Sequence, residues 1–110
     1  EVALPDAGAL PGSGVLAGVE NNGGGTHLGA GEQPLGTVLR GHGNTGDTGV
    51  EGVVKGHVIG TYLHGPLLPK NAWFADWLIA TALGLEALAL LDDTLEDAAH
   101  ASARHAAGLD

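Results

Sequence analysis

His64 is the best-placed proton carrier in the sequence. It closes residues 57–63, the most strand-like run of the chain, and is followed at once by Gly65-Pro66. Ligands and catalytic groups in open α/β sheets gather beyond the carboxyl ends of strands, and an imidazole titrates near neutrality, so the position suits a general acid/base. A structural histidine held by a backbone partner fits the same place. A second candidate is Glu20-Asn21-Asn22-Gly23-Gly24-Gly25, a carboxylate and amides followed by glycines. This pattern fits a cleft wall or an ordinary turn, and no Walker lysine or dinucleotide pattern follows that would make it a phosphate cradle. Lys70-Asn71 reads equally as the start of a helix carrying one solvated cation.

The other five histidines are weaker. His42 falls in a glycine loop, and His100 and His105 lie on a polar tail five residues apart, not the three or four that share a helix face. His27, His42 and His57 recur every fifteen residues, but their neighbours do not match. A metal centre needs three or four convergent ligands at a recognised spacing, and none is expected. The 110 residues include no cysteine, which excludes thiolate chemistry and disulfides within this chain.

The elements that must position these residues are short strands and then helices. Residues 1–14 are broken by Pro5, Pro11 and three glycines and read as loop. Residues 15–19 form an apolar run suited to a buried strand, and 34–39 a second. Residues 41–49 are a long glycine loop. Residues 50–54 and 57–63 are rich in β-branched side chains and separated by Lys55-Gly56, which predicts a hairpin with an irregular turn. Beyond Pro66, Asn71 suits an N-cap and 72–91 are strong helix formers. Trp73, Phe74, Trp77, Leu78, Leu85 and Leu88 supply the surface to bury. A second helix is expected from Asp92-Asp93, with acids at its amino end and a narrow stripe of Leu91, Leu95, Ala98 and Ala99 that polar Ser102 interrupts. Strands followed by helices indicate an α/β or α+β domain over residues 1–91, with 92–110 as an acidic helical tail expected to fray.

Composition sets limits. Thirteen acids against four bases give a formal charge of −9, which repels phosphate backbones and argues against nucleic-acid binding. The acids crowded after residue 75 face only Arg104 and read as a solvated helical face. Hydrophobic residues make up 44%, enough for a core. The most apolar stretch, 72–91, carries Asp76 and Glu86, so no membrane span is expected. The amino end shows no leader pattern, and a cytoplasmic protein is expected. The chain has no methionine and opens on Glu1, so a piece of a longer protein is expected.

Several stretches, in order, carry a resemblance. They are Gly18-Val19-Glu20-Asn21-Asn22-Gly23-Gly24, Thr26-His27-Leu28-Gly29, Pro34-Leu35-Gly36, Gly41-His42-Gly43-Asn44, Glu51-Gly52-Val53 and, most specific, Gly60-Thr61-Tyr62-Leu63-His64-Gly65-Pro66-Leu67-Leu68-Pro69-Lys70-Asn71. From about Val15 to Ala82 the chain resembles the cobyric-acid-synthase-like (CobB/CobQ-like) class I glutamine amidotransferases. The Pro69-Lys70-Asn71 ending is most similar to the glutaminase subunits of lipid II isoglutaminyl synthases. The resemblance implies the carboxyl-terminal part of a flavodoxin-like domain, with a cysteine nucleophile in the amino-terminal half and a turn histidine matched by His64. It implies glutamine as substrate and ammonia passed to a Mur-ligase-like (MurT-like) synthetase. That partner spends ATP with Mg on amidating the lipid II stem-peptide D-glutamate, and this subunit needs no cofactor. Pro66 stands where such triads carry an acid two residues after the histidine. Either the site is a Cys–His dyad or another acid orients the ring, with Glu20 the candidate. Asn21, Tyr62 and Gly65 fall on turns that would shape the pocket. Asn22 replaces a common histidine and Gly25 a common arginine. Two other readings stay open: an amidotransferase of corrinoid biosynthesis, and a binding module that kept the fold without the cysteine.

Overall fold

The computed structural model describes residues 1–3 and 14–109. Among them run eight short strands and then two helices: β1 (Val2–Ala3), β2 (Val15–Leu16), β3 (Val19–Glu20), β4 (Gly36–Val38), β5 (Val50–Glu51), β6 (Val53–Lys55), β7 (Val58–Gly60), β8 (Leu63–His64), α1 (Ala72–Leu83) and α2 (Thr94–Ala106). This is a small α/β arrangement, as expected. Every strand pairing among the described residues is antiparallel: a four-stranded sheet in the order β2-β1-β4-β5, and the two-stranded ladders β3-β8 and β6-β7.

Several boundaries differ from the expectations, each for a local reason. Val2–Ala3 is not loop but lies between β2 and β4 in the larger sheet; Pro5 and Pro11 fall outside the described residues. The apolar run at 15–19 is two strands in two sheets, since the chain leaves the larger sheet at Ala17-Gly18. The run at 50–54 divides at Gly52, whose φ of 74 turns the chain from β5 into β6. In the hairpin, Lys55 pairs with Val58, so the two-residue turn is Gly56-His57 and not Lys55-Gly56. This register puts a glycine at the first central position, as a primed hairpin turn requires.

The core gathers Val2, Leu16, Leu35, Leu63 and Phe74, with Trp73, Trp77 and Leu78 packed on its edge. Phe74 stacks on Trp77 at 5.8 Å, one helical turn away. Helix α1 stops at Leu83, eight residues short of the expected end, where Gly84 adopts the left-handed conformation and its N–H bonds back to the last turn. Leu85 therefore lies beyond the helix, half exposed. Helix α2 forms where the charges predicted, but none of its residues is buried, and Leu91 and Leu95 are 77% and 81% exposed. Polar contacts hold it instead of an apolar stripe. Arg104 Nε lies 3.0 Å from Glu1 Oε1, and His100 Nδ1 bonds Lys70 O at 2.9 Å. No helix among the described residues is long and apolar enough to cross a membrane.

Candidate active site

His64 ends β8, directly opposite Val19 of β3, while Leu63 opposes Glu20. Successive strand side chains project to opposite faces, so buried Leu63 enters the core and His64 points out, exposed. No hydrogen bond engages its ring among the described residues. The alternative of a ring tied down by a structural partner therefore has no bond to support it. Behind His64 the turn is fixed: Lys70 Nζ donates to Gly65 O, and the buried Asn71 side chain closes the segment. The Asn71 amide donates to Ala17 O at 2.8 Å and Leu67 O at 2.7 Å, and its oxygen accepts from Ala17 N–H at 2.9 Å. The expected N-cap position is right but the expected bond is not: Asn71 precedes the helix yet spends its side chain on tying 17 to 67–71.

Glu20 faces away from His64. The ladder sends its side chain to the opposite face, where it accepts from His42 N–H at 2.8 Å and Gly43 N–H at 2.6 Å and lies 3.2 Å from His42 Nδ1. Burial tends to raise its pKa, but the Gly43 and His42 N–H donors and the imidazole outweigh that and hold the carboxyl below its usual range. Glu20 thus orients His42 and the Gly41–Gly43 backbone, and makes no bond to His64. The glycine-loop setting of His42 gives no hint of this partner. The signal for it was the resemblance of Gly41-His42-Gly43-Asn44, which marks the loop as more than a spacer.

An open cleft beside this pair is lined by Glu20, Asn21, Asn22, His42, Asn44 and Thr45. Tyr62 belongs to a second, more apolar cleft with Thr26, Gly52, Val53 and Thr61, its hydroxyl 2.6 Å from Thr26 Oγ. Asn44 touches both. Asn21 and Tyr62 therefore do not share one pocket wall, and Gly65 contributes a carbonyl to Lys70. Two further polar residues, Asn44 and Glu51, are buried. Asn44 clamps Gly52, donating to its carbonyl at 3.0 Å and accepting from its N–H at 2.7 Å. Glu51, fully buried, takes hydrogen bonds from Thr61 and Tyr62. No group of three or more His, Cys, Asp or Glu side chains among the described residues is arranged to hold a metal ion.

The segment carrying all of these groups, residues 6–72, matches the CobB/CobQ-like glutamine amidotransferase domain. The chain belongs to that family. Two curated relatives are similar over the same region. Lipid II isoglutaminyl synthase (glutamine-hydrolyzing) subunit GatD of Staphylococcus aureus (strain N315) is 44% identical over 69 residues, 63% of this chain and 28% of the relative. The protein of the same name from Streptococcus pneumoniae (strain ATCC BAA-255 / R6) is 46% identical over 66 residues, 60% of this chain and 25% of the relative. The chain spans about a quarter of the length of the curated relatives it matches. No solved structure matches it. Within the amidotransferase segment lie His64, Glu20, His42, Glu51 and Asn71, whereas α2 and all but the first residue of α1 fall outside it.

Proposed function

We propose that this chain is the histidine-bearing part of a glutaminase that frees ammonia from glutamine for amidation of the lipid II stem-peptide D-glutamate. The observation that carries the reading is His64: an exposed imidazole at a strand end, uncommitted to any hydrogen bond among the described residues, inside the segment that matches the amidotransferase family. The names of the two relatives supply the substrate class. On this reading residues 1–91 are the carboxyl-terminal half of a flavodoxin-like domain and 92–110 an appended tail. The setting is cytoplasmic and the partner a Mur-ligase-like synthetase that uses ATP and Mg; this subunit carries no cofactor.

The chemistry needs a thiolate from outside these 110 residues, since they include no cysteine. The thiolate attacks the side-chain amide carbon of glutamine. His64 then protonates the departing nitrogen, and the acyl group stays on sulfur as a thioester. The neutral imidazole next takes a proton from water, whose oxygen attacks the thioester and releases glutamate. With Glu20 occupied by His42 and Gly43, a Cys–His dyad is the simpler arrangement. In the full-length protein with its partner, His64→Ala is expected to lower glutaminase turnover by about 10²-fold or more. Amidation driven by added ammonia should survive. Near-normal glutaminase activity in that variant would demote His64 to a structural residue, whereas a full-length parent without glutaminase activity would favour the binding-module reading, which the missing cysteine also fits.

A further inference from the structure

We infer that Glu51 is a positioning residue for His64, acting from the core through Thr61 and Tyr62; this rests on the reading of His64 as the acid/base. The chain must change partners between β7, which pairs with β6, and β8, which pairs with β3. Residues 61–62 lie in the gap and belong to neither ladder. One carboxylate spans it. Glu51 accepts from Thr61 Oγ at 3.0 and 2.9 Å through its two oxygens, and from Tyr62 N–H at 2.7 Å. Thr61 Oγ in turn accepts from Leu63 N–H at 3.0 Å. The three residues immediately before His64 are thus held, directly or through one hydroxyl, by a single side chain.

That side chain is anchored in the interior. Glu51 is 0% exposed and sits in β5, opposite Gly36 in the four-stranded sheet, and the next residue, Gly52, is clamped at both backbone groups by buried Asn44. A buried polar side chain is costly unless it is hydrogen-bonded. Glu51 meets that need by holding the Thr61 hydroxyl and the Tyr62 N–H, and so fixes the turn at two successive residues. Catalytic groups need such fixing, because a displacement of about 1 Å can cost about 10²-fold in rate.

The test uses the full-length protein with its synthetase partner. Thr61→Val removes the relay hydroxyl with little change of shape and is expected to lower glutaminase kcat about tenfold or more with KM unchanged. Thr61→Ser keeps the hydroxyl and should stay close to the parent. Glu51→Gln should lower kcat similarly, and the double variant should be no worse than the poorer single one, because both changes break one path. Parent-like kcat in Thr61→Val overturns the proposal, as does a loss in Thr61→Ser equal to that in Thr61→Val, or losses that multiply in the double variant. Thr61 is exposed, so its variants decide the matter even if Glu51→Gln fails to fold. His64→Ala run alongside separates the two readings. An inactive His64→Ala with a fully active Thr61→Val sinks the positioning role alone, whereas an active His64→Ala sinks the acid/base role and the positioning role with it.

Discussion

Glu20 shows how a single carboxylate can be committed by its surroundings. Two backbone N–H groups and an imidazole meet it, and they lower its pKa against the opposing effect of burial. A carboxyl with a depressed native pKa stabilises the fold fully above its unfolded value, and that stabilisation is lost as pH falls through the lower native value. Melting midpoints of the parent and Glu20→Gln should therefore differ at neutral pH, with the parent higher. The gap should close as the solution is acidified below 4.5, the group's ordinary value. A gap that stays constant down to about pH 3 would show that the carboxylate's charge contributes nothing to that loop. At this scale the sequence was informative about His64, because a strand end before Gly-Pro can be read directly. It was silent on Glu20's partner. The choice between His64 and His42 depends on which face the strand presents, and that is set by a pairing with β8 more than forty residues away in the chain.

Among the elements, most strand positions were legible, β1 excepted, and their partners were not. Runs of Val and Ile mark residues 15–19, 50–54 and 57–63, but local composition does not say that one run serves two sheets. Glycine does the dividing. A Cβ at Gly52 would lie 2.6 Å from Leu35 Cβ and 2.7 Å from Gly60 O, on a backbone with φ of 74. Gly52→Ala should therefore cost about 3 kcal/mol or more, seen as a sharp fall in melting midpoint or loss of soluble protein. Asn71 makes a second element-level case. Asn71→Ala would strand the Ala17 N–H and C=O in the interior, at about 1–3 kcal/mol for each unsatisfied group. Urea unfolding should show a midpoint shift of that order with an unchanged slope. The sequence pointed to this asparagine as a helix cap, since Asn before a helical run usually is one. Its side chain instead meets a strand end fifty-four residues earlier in the chain.

At the scale of the molecule, composition carried further than pattern. Without cysteine the 110-residue polypeptide should release no ammonia from glutamine and take up no thiol-directed alkylating reagent. The full-length protein should do both, and turnover by the short chain alone would refute the thiolate mechanism. The family, too, was legible, because the stretch ending in Lys70-Asn71 lies within residues 6–72 that match it. The tail is a helix, as expected, but its composition does not show what it meets: none of its residues is buried, and its contacts with the rest of the chain include Arg104 with Glu1 and His100 with Lys70 O.

One of those contacts fixes a proton. His100 Nδ1 faces two oxygens, Lys70 O at 2.9 Å and Asn71 Oδ1 at 3.2 Å. Neither can donate to the ring, because that asparagine's nitrogen is engaged with Ala17 O and Leu67 O. The neutral imidazole must therefore be the Nδ1–H tautomer, the minority form of free histidine, with its lone pair on Nε2. Nitrogen-15 spectra distinguish the two forms, so the His100 resonance becomes a gauge of helix docking on the turn that carries His64. A return to the Nε2–H form would signal that the tail has lifted away.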